Sequence, residues 1–134
     1  MTNTKYTALV VEDEMPLLNA VKAKMELNGF TVLSARTVEQ AMGYVQDVPE
    51  VSVIWLDHYL LGKLNGLDFV AQLKAENAKA EWKRIPIFIV SNTASANKVQ
   101  SYLQLGVNKY YTKSEYRLDE IILDIKTFLE GDKK

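Results

Sequence analysis

Acidic and basic side chains directly follow three apolar, strand-like runs that lie far apart in the sequence. Glu12 and Asp13 follow the first run, Asp57 follows the second, and Lys113 follows the third. Because the carboxyl ends of parallel strands share one edge of a sheet, these four side chains are expected to meet there. Clustered carboxylates repel one another unless a cation joins them. The pattern therefore predicts a divalent-metal site with a reactive aspartate at its centre.

The elements that must position these residues alternate along the chain, with strand-like and helix-like segments joined by short connections. Helical periodicity between the strands predicts five helices, and right-handed crossovers then give a doubly wound α/β fold with one five-stranded parallel sheet. The predicted strands are Ala8–Val11, Phe30–Ala35, Val51–Leu56, Ile87–Val90 ending at Ser91, and Lys109–Thr112.

Two predicted helices flank the strand that ends at Ser91. The earlier one covers about residues 67–80, and its apolar positions predict an inward face of Leu67, Val70, Ala71 and Leu73. The later one is capped by Ser95 and closed by Gly106, and its spacing predicts that Val99 and Leu103 face inward.

The composition is that of an ordinary globular protein with one domain: 134 residues, 48% hydrophobic and 25% charged. A net charge of −1 with interspersed signs predicts no broad basic surface for nucleic acid or anionic lipid. The absence of cysteine excludes disulfides, thiol catalysis and cysteine-ligated zinc. We expect polar tails at residues 1–5 and 131–134 around a domain of residues 6–130. With no signal-like or membrane-length apolar run, we expect a cytoplasmic location and no membrane partner.

Five features in order make the chain resemble the receiver domains of two-component response regulators over roughly residues 6–130. They are the acidic pair after the first strand, the apolar run ending at Asp57, Asn65-Gly66, the Ser91 hydroxyl, and Tyr110-Tyr111-Thr112-Lys113. The resemblance implies a flavodoxin-like sheet of strand order 2-1-3-4-5. It also implies a site at the switch point between the first and third strands.

The resemblance assigns the chemistry to Asp57 and its acidic neighbours. Asp57 would accept a phosphoryl group from a phosphohistidine, because an ionised carboxylate is a competent nucleophile toward phosphorus once charge is neutralised. Mg²⁺ (or Mn²⁺) would be held by Asp13, Asp57 and a backbone carbonyl just after it, that of Tyr59. Glu12 would act on the metal through water or by setting the charge of the site.

Three residues further along would respond to the added phosphoryl group. Lys113 and the hydroxyl of Ser91 would bond its oxygens, and Tyr110 would turn inward as Ser91 moves. The face that changes would comprise the helix after Ser95, the fifth strand and the last helix, around Lys98, Tyr102, Tyr110 and Arg117. Tyr111, on the opposite side of the fifth strand, is expected to pack on the core or on a helix.

The chain departs from the family pattern at a few positions near the site. Asn92 stands where a small residue is usual, and Tyr59 is also bulky. The size of these two side chains predicts that the phosphoryl group is lost slowly. Leu61 and Ser114 stand where the family commonly has prolines, so the peptide before Ser114 should be trans. His58, the only histidine, is predicted to be an ordinary loop residue.

We therefore expect a stand-alone receiver that catalyses only its own phosphorylation and dephosphorylation. Its expected partners are a sensor histidine kinase or phosphotransfer protein, and a downstream protein target or a second copy of the chain, with no nucleic acid. Two alternatives stay open. One is a small α/β phosphatase that uses Asp57 as nucleophile. The other is a flavodoxin-like cofactor binder, disfavoured because the first strand leads into acids rather than a Ser/Thr/Gly phosphate loop.

Overall fold

Five strands pair in parallel in the computed structural model, which describes residues 6–92 and 95–131. They are β1 (Tyr6–Val11), β2 (Phe30–Ala35), β3 (Val51–Leu56), β4 (Ile87–Ser91) and β5 (Lys109–Thr112). Their order across the sheet is β2-β1-β3-β4-β5. The predicted doubly wound, flavodoxin-like α/β fold is confirmed.

Six helices lie within the described ranges, one more than predicted. They are α1 (Met15–Leu27), α2 (Val38–Asp47), α3 (Gly66–Lys74), α4 (Ala80–Lys83), α5 (Ala96–Gln104) and α6 (Leu118–Gly131). The additional helix arises because α3 ends at Lys74, where Ala75 leaves helical geometry with a ψ of 150°. The four-residue α4 follows, and its Trp82 packs against the core.

The core has two halves, one on each face of the sheet, because β1, β3 and β4 are buried on both faces. Alternate strand residues such as Val10 and Trp55 pack against α1 and α6. The residues between them, such as Leu9 and Ile54, pack against α2, α3 and α5. Because helices pack on both of its faces, the sheet is a rigid support for the loops at its carboxyl edge.

The inward faces of α3 and α5 differ from the predicted ones. Ala71 is exposed, and α3 instead buries Gly66, Phe69, Val70 and Leu73. On α5, Leu103 is 50% exposed, Val99 is half-buried, and Tyr102 is the buried residue. Helix α5 therefore turns a different side toward the core than predicted. Tyr102 can be buried there because its hydroxyl has a hydrogen-bond partner.

Of the two predicted polar tails, only Gly131 lies among the described residues. Gly131, expected in the polar tail, is the last residue of α6. The rest of the two predicted tails, residues 1–5 and 132–134, lies outside the described residues. Across the described ranges the peptide bonds are trans, including the one before Ser114. No helix in these ranges has the length and apolarity needed to cross a bilayer.

Candidate active site

The strands deliver the acidic and basic residues to one edge of the sheet by extending its hydrogen bonding one residue further. The backbone N–H groups of Glu12, Asp57 and Lys113 each donate to the carbonyl of the last residue of a neighbouring strand, over 2.9, 3.0 and 2.9 Å. These bonds fix the backbone just where each reactive side chain begins. The first residue of each of these loops is therefore held by the same hydrogen-bond pattern as the strand before it.

Lys113 joins the carboxylates at the centre of the site. Its Nζ lies 2.9 Å from Oε1 of Glu12 and 3.3 Å from Oδ2 of Asp57. The side chains of Glu12 and Asp57 are only 1% and 6% exposed, and that of Lys113 is 14% exposed. The structure thus brings together residues 101 and 56 positions apart in the chain.

The clustered charges shift the protonation equilibria of this site. Burial, together with the charge of Asp57, raises the pKa of Glu12 to about 7, against the opposing effect of hydrogen bonds from Lys113 and the Glu14 N–H. Burial alone would lower the pKa of Lys113, but its hydrogen bond to Glu12 and the charges of Asp57 and Glu12 raise it overall. Because three carboxylates cluster around one lysine ammonium, the site also favours a further cation.

The oxygen atoms of Glu12, Asp13 and Asp57 suit a divalent cation. One carboxylate oxygen from each lies within 4.8 Å of the others. Both oxygens of Glu12 already accept hydrogen bonds, one from Lys113 and one from the Glu14 N–H. In the ranges 6–92 and 95–131 no hydrogen bond reaches the Asp13 carboxylate, so both of its oxygens are available to a metal. An all-oxygen donor set is what Mg²⁺ and Mn²⁺ prefer.

Arg36 holds Asp13 in place, a contact that the sequence analysis did not identify. Its Nε and Nη2 both donate to the Asp13 backbone carbonyl, over 3.1 and 2.9 Å. The Arg36 carbonyl accepts in turn from the Leu61 N–H at 3.2 Å. Arg36 therefore joins three loops at the carboxyl edge of the sheet: those after β1, β2 and β3.

Ser91 and Tyr110, the predicted switch residues, contact each other beside the acidic cluster. Ser91 is fully buried and Tyr110 is half-buried. Burial raises the pKa of the Tyr110 phenol, while its hydrogen bond with Ser91 acts in the opposite direction. On the other side of β5, Tyr111 is buried and donates to Oδ2 of Asp124 in α6 at 2.9 Å, as its predicted packing requires.

His58 and Tyr102 are placed differently from the prediction. His58 lies in the loop after β3 but is only 4% exposed, and Nδ1 lies 2.7 Å from the Tyr102 hydroxyl. Tyr102, expected on the changing surface, is fully buried. The two side chains satisfy each other, which explains why both polar groups can be buried. No local sequence signal pairs a lone loop histidine with a tyrosine 44 residues away.

The pKa values of this pair both shift toward the neutral forms. Burial, with the charge of Lys98, lowers the pKa of His58. Burial, followed by the nearby Tyr110, raises the pKa of Tyr102 above the range of a free phenol. The pair is therefore a hydrogen bond between a neutral imidazole and a neutral phenol.

Tyr59 follows His58 in the same loop and is much more exposed. Its side chain is 55% exposed, and its ring contacts the His58 ring edge-on with centroids 4.7 Å apart. Lys98 of α5 donates to the Tyr59 hydroxyl at 3.1 Å and lies 5.0 Å from the ring centroid. Lys98 therefore reaches from α5 to the loop that follows Asp57.

Comparison with known proteins gives one consistent match. A family profile for the response regulator receiver domain matches residues 8–126. The phosphate regulon transcriptional regulatory protein PhoB of Pseudomonas aeruginosa is 28% identical over 124 residues, which are 92% of this chain and 51% of that protein. The chain spans about half the length of the curated relatives it matches first.

Solved structures share the fold. The receiver domain of the Francisella response regulator 1452 superposes with a TM-score of 0.82 at 24% identity, covering 97% of this chain and 100% of that one. The Mn²⁺-bound form of response regulator Rcp1 gives a TM-score of 0.77 at 24% identity, covering 92% of this chain and 94% of the other.

Proposed function

The chain belongs to the response regulator receiver domain family and is a phosphoacceptor of two-component signalling, and we propose that Asp57 is the residue that accepts the phosphoryl group. One observation carries the proposal. Asp57 is a buried carboxylate at the end of β3 that lies 3.3 Å from a lysine ammonium and beside two further carboxylates. The arrangement places a nucleophile where charge on a phosphoryl group can be neutralised.

The proposed donor is a phosphohistidine on a sensor kinase or phosphotransfer protein. A carboxylate oxygen of Asp57 attacks phosphorus, the phosphorus–nitrogen bond breaks, and the electron pair returns to the imidazole of the donor. The product is an acyl phosphate on Asp57. Lys113, already at Oδ2, is placed to follow the new phosphoryl oxygens as a mobile ammonium. Ser91 would supply a hydroxyl to the same group.

Receiver domains bind a divalent cation in an acidic pocket, and this chain has such a pocket. We propose Mg²⁺ or Mn²⁺, with Asp13 and Asp57 as carboxylate ligands and the Tyr59 carbonyl as a third. Mn²⁺ occupies the related response regulator Rcp1, which supports the choice of a hard cation. When bound, the cation would neutralise charge on the phosphoryl oxygens. Glu12 would act by setting the charge of the site.

We propose that the signal leaves through the face formed by α5, β5 and α6. Two of these elements carry exposed apolar side chains, which are Leu103 on α5 at 50% exposure and Leu123 and Phe128 on α6 at 62% and 38%. Tyr110 is half-buried there and contacts Ser91. A target protein or a second copy of the chain would bind this face more tightly after phosphorylation. Tyr102 is buried, so it would act inside the domain and would not contact the target.

We propose the remaining assignments by analogy with the family. The chain would act catalytically only on itself, in phosphorylation and dephosphorylation, and would work in the cytoplasm where sensor kinases phosphorylate their partners. Its PhoB relative is a transcriptional regulatory protein, which makes control of transcription a reasonable output for a protein carrying this domain. The family match does not favour the phosphatase or the cofactor binder.

Asp57→Asn tests the proposal. Wild-type protein incubated with acetyl phosphate and Mg²⁺ should gain an acid-stable, base-labile phosphoryl adduct on the peptide containing Asp57, detected by mass spectrometry. Asp57→Asn should gain none, because an amide is a poor nucleophile. Asp47→Asn, an exposed carboxylate at the end of α2, is the control and should behave as wild type.

Two results would count against the assignment. An undiminished adduct on Asp57→Asn would show that another residue is the acceptor. Continuous turnover of p-nitrophenyl phosphate by the wild-type chain, lost in Asp57→Asn, would favour the phosphatase.

A further inference from the structure

A second set of contacts connects Asp57 to α5, and Ser91 is not part of it. His58, the next residue, forms a buried hydrogen bond with Tyr102 of α5 at 2.7 Å. Both side chains are almost fully buried, at 4% and 0% exposure. Breaking this bond would leave two polar groups without water, which is costly in a protein interior.

The backbone of His58 is tied directly to the acceptor. Its N–H donates to Oδ1 of Asp57 at 2.8 Å, and its carbonyl accepts from the N–H of Gly66, the first residue of α3, at 2.9 Å. A phosphoryl group on either oxygen of Asp57 removes carboxylate character from Oδ1. The charge-assisted bond to the His58 N–H therefore weakens on phosphorylation, and the His58 peptide becomes free to shift.

Tyr102 connects the same route to the output face. It is the only fully buried side chain on α5, and the others described on this helix are half-buried or exposed. Its ring also contacts that of Tyr110, with centroids 5.8 Å apart. Helix α5 is thus attached to the sheet largely through Tyr102. The Tyr102 hydroxyl is held by His58 in the loop that follows Asp57, which we call the acceptor loop.

We propose that the His58–Tyr102 hydrogen bond couples the acceptor loop to α5 and makes His58 and Tyr102 positioning residues for the response to phosphorylation. The coupling rests on the proposed role of Asp57 and adds a route to the one through Ser91. The two routes meet at the contact between the Tyr102 and Tyr110 rings. Loss of the bond should leave phosphoryl transfer possible while the response of α5 is lost.

Tyr102→Phe removes the hydroxyl and keeps the ring. Amide hydrogen exchange would be measured with and without beryllofluoride and Mg²⁺, a stable mimic of the phosphorylated aspartate. Without the mimic, exchange in α5 and at Gly66 should rise about tenfold in Tyr102→Phe, as expected for a lost buried hydrogen bond. With the mimic, residues around Asp57 should still respond, but the wild-type change in α5 should be absent.

Tyr111→Phe is the matched control. It also removes a buried tyrosine hydroxyl with one hydrogen bond, 2.9 Å to Asp124, but on the opposite side of the sheet. It should leave exchange in α5 and its response to beryllofluoride unchanged. His58→Phe should reproduce Tyr102→Phe, and the double variant should add little to either single change, because both remove the same bond.

The outcomes separate this coupling from the proposed function. If Tyr102→Phe keeps the wild-type response of α5, or if Tyr111→Phe loses it equally, the coupling through His58 is wrong. If wild-type protein shows no response to beryllofluoride even around Asp57, the proposed acceptor fails. In that case, exchange in α5 without the mimic is compared between wild type and Tyr102→Phe, and this comparison decides whether the His58–Tyr102 bond holds the helix. Unchanged exchange in Tyr102→Phe would overturn the proposal.

Discussion

At the scale of single residues, Lys113 supplies a positive charge that partly neutralises the carboxylates of the site. Its ammonium lies between Glu12 and Asp57 and is largely shielded from water. A divalent cation held by Asp13 and Asp57 would also reduce the repulsion among Glu12, Asp13 and Asp57. Lys113 and a bound cation therefore share the same carboxylates, and their charges oppose each other.

Replacing Lys113 by Met should strengthen Mg²⁺ binding several-fold, because a buried positive charge close to the cation is removed. The same variant should be less stable than wild type in EDTA, since the carboxylates lose their counter-charge. Isothermal titration with Mg²⁺ and urea unfolding in EDTA measure the two effects. Lys109→Met, at an exposed lysine of β5, is the control. Weaker Mg²⁺ binding in Lys113→Met would contradict this prediction.

Tyr59 and Asn92 should control how long the phosphoryl group survives. Both lie exposed after strands that end at the site, and Tyr59 is further held by Lys98. The double change of Tyr59→Asn and Asn92→Ala should speed loss of the group several-fold, since water reaches Asp57 more easily. Decay of the adduct would be followed by mass spectrometry, with Tyr116→Asn, at an exposed tyrosine whose ring contacts Tyr111, as control. Equal or slower decay in the double variant would show that these side chains do not shield the site.

At the scale of elements, the site depends on loops that are fastened to one another. The fork of Arg36 joins the loops after β1 and β2, and its carbonyl joins the loop after β3. The start of α3 is fixed by a capping box in which Asn65 and Asp68 bond each other's backbone N–H groups, at 3.1 and 2.8 Å. These hydrogen bonds restrain the loops that carry Asp13 and Asp57.

Arg36→Lys should weaken Mg²⁺ binding about tenfold, as is typical when a residue that orients a metal ligand is changed. The substitution keeps the positive charge and removes the fork that donates twice to the Asp13 carbonyl. Mg²⁺ titration measures the effect. Arg84→Lys, at an exposed arginine beyond α4, provides the control. Unchanged affinity in Arg36→Lys would mean that Asp13 needs no support from this loop.

Gly66→Ala should destabilise the protein by about 1–3 kcal/mol, the usual effect of overpacking. A Cβ at this position would collide with the Tyr102 hydroxyl and lie 2.8 Å from the Asp57 carbonyl oxygen. Gly43→Ala, inside α2 with no atom within 4 Å of the added Cβ, should instead stabilise by about 0.5–1 kcal/mol. Urea unfolding compares the two, and equal effects would refute the argument from close packing.

At the scale of the whole molecule, most of the fold could be predicted because the sheet is parallel and buried on both faces. Its strands are continuous apolar runs, and the residue after each run lies at the reactive edge. This accounts for the placement of Asp57 and Lys113. The face of α5 could not be predicted, because helical periodicity admits several adjacent faces. Its choice depends on a hydrogen bond from Tyr102 to a distant loop. The four-residue α4 is too short to show a period.

Global stability should respond to the metal through the acidic cluster. A ligand that binds only the folded chain stabilises it by about 2.7 kcal/mol at a hundredfold excess over its dissociation constant. Mg²⁺ should therefore raise the Tm of the wild-type protein and raise that of Asp13→Asn much less, because one charged ligand is lost. Differential scanning fluorimetry measures both, with Asp47→Asn as control. An equal rise in Asp13→Asn would exclude Asp13 as a ligand.

The position of β1 inside the sheet also bears on how the chain folds. This strand lies between β2 and β3, so one of its edges stays unpaired until the chain has been made as far as β3, while β4 and β5 can add only afterwards. Parallel pairings of this kind are slow to form, and apolar strand edges that wait for partners are prone to aggregate. Substitutions that slow the docking of β3 should therefore lower the yield of native protein during synthesis, even where the finished fold tolerates them.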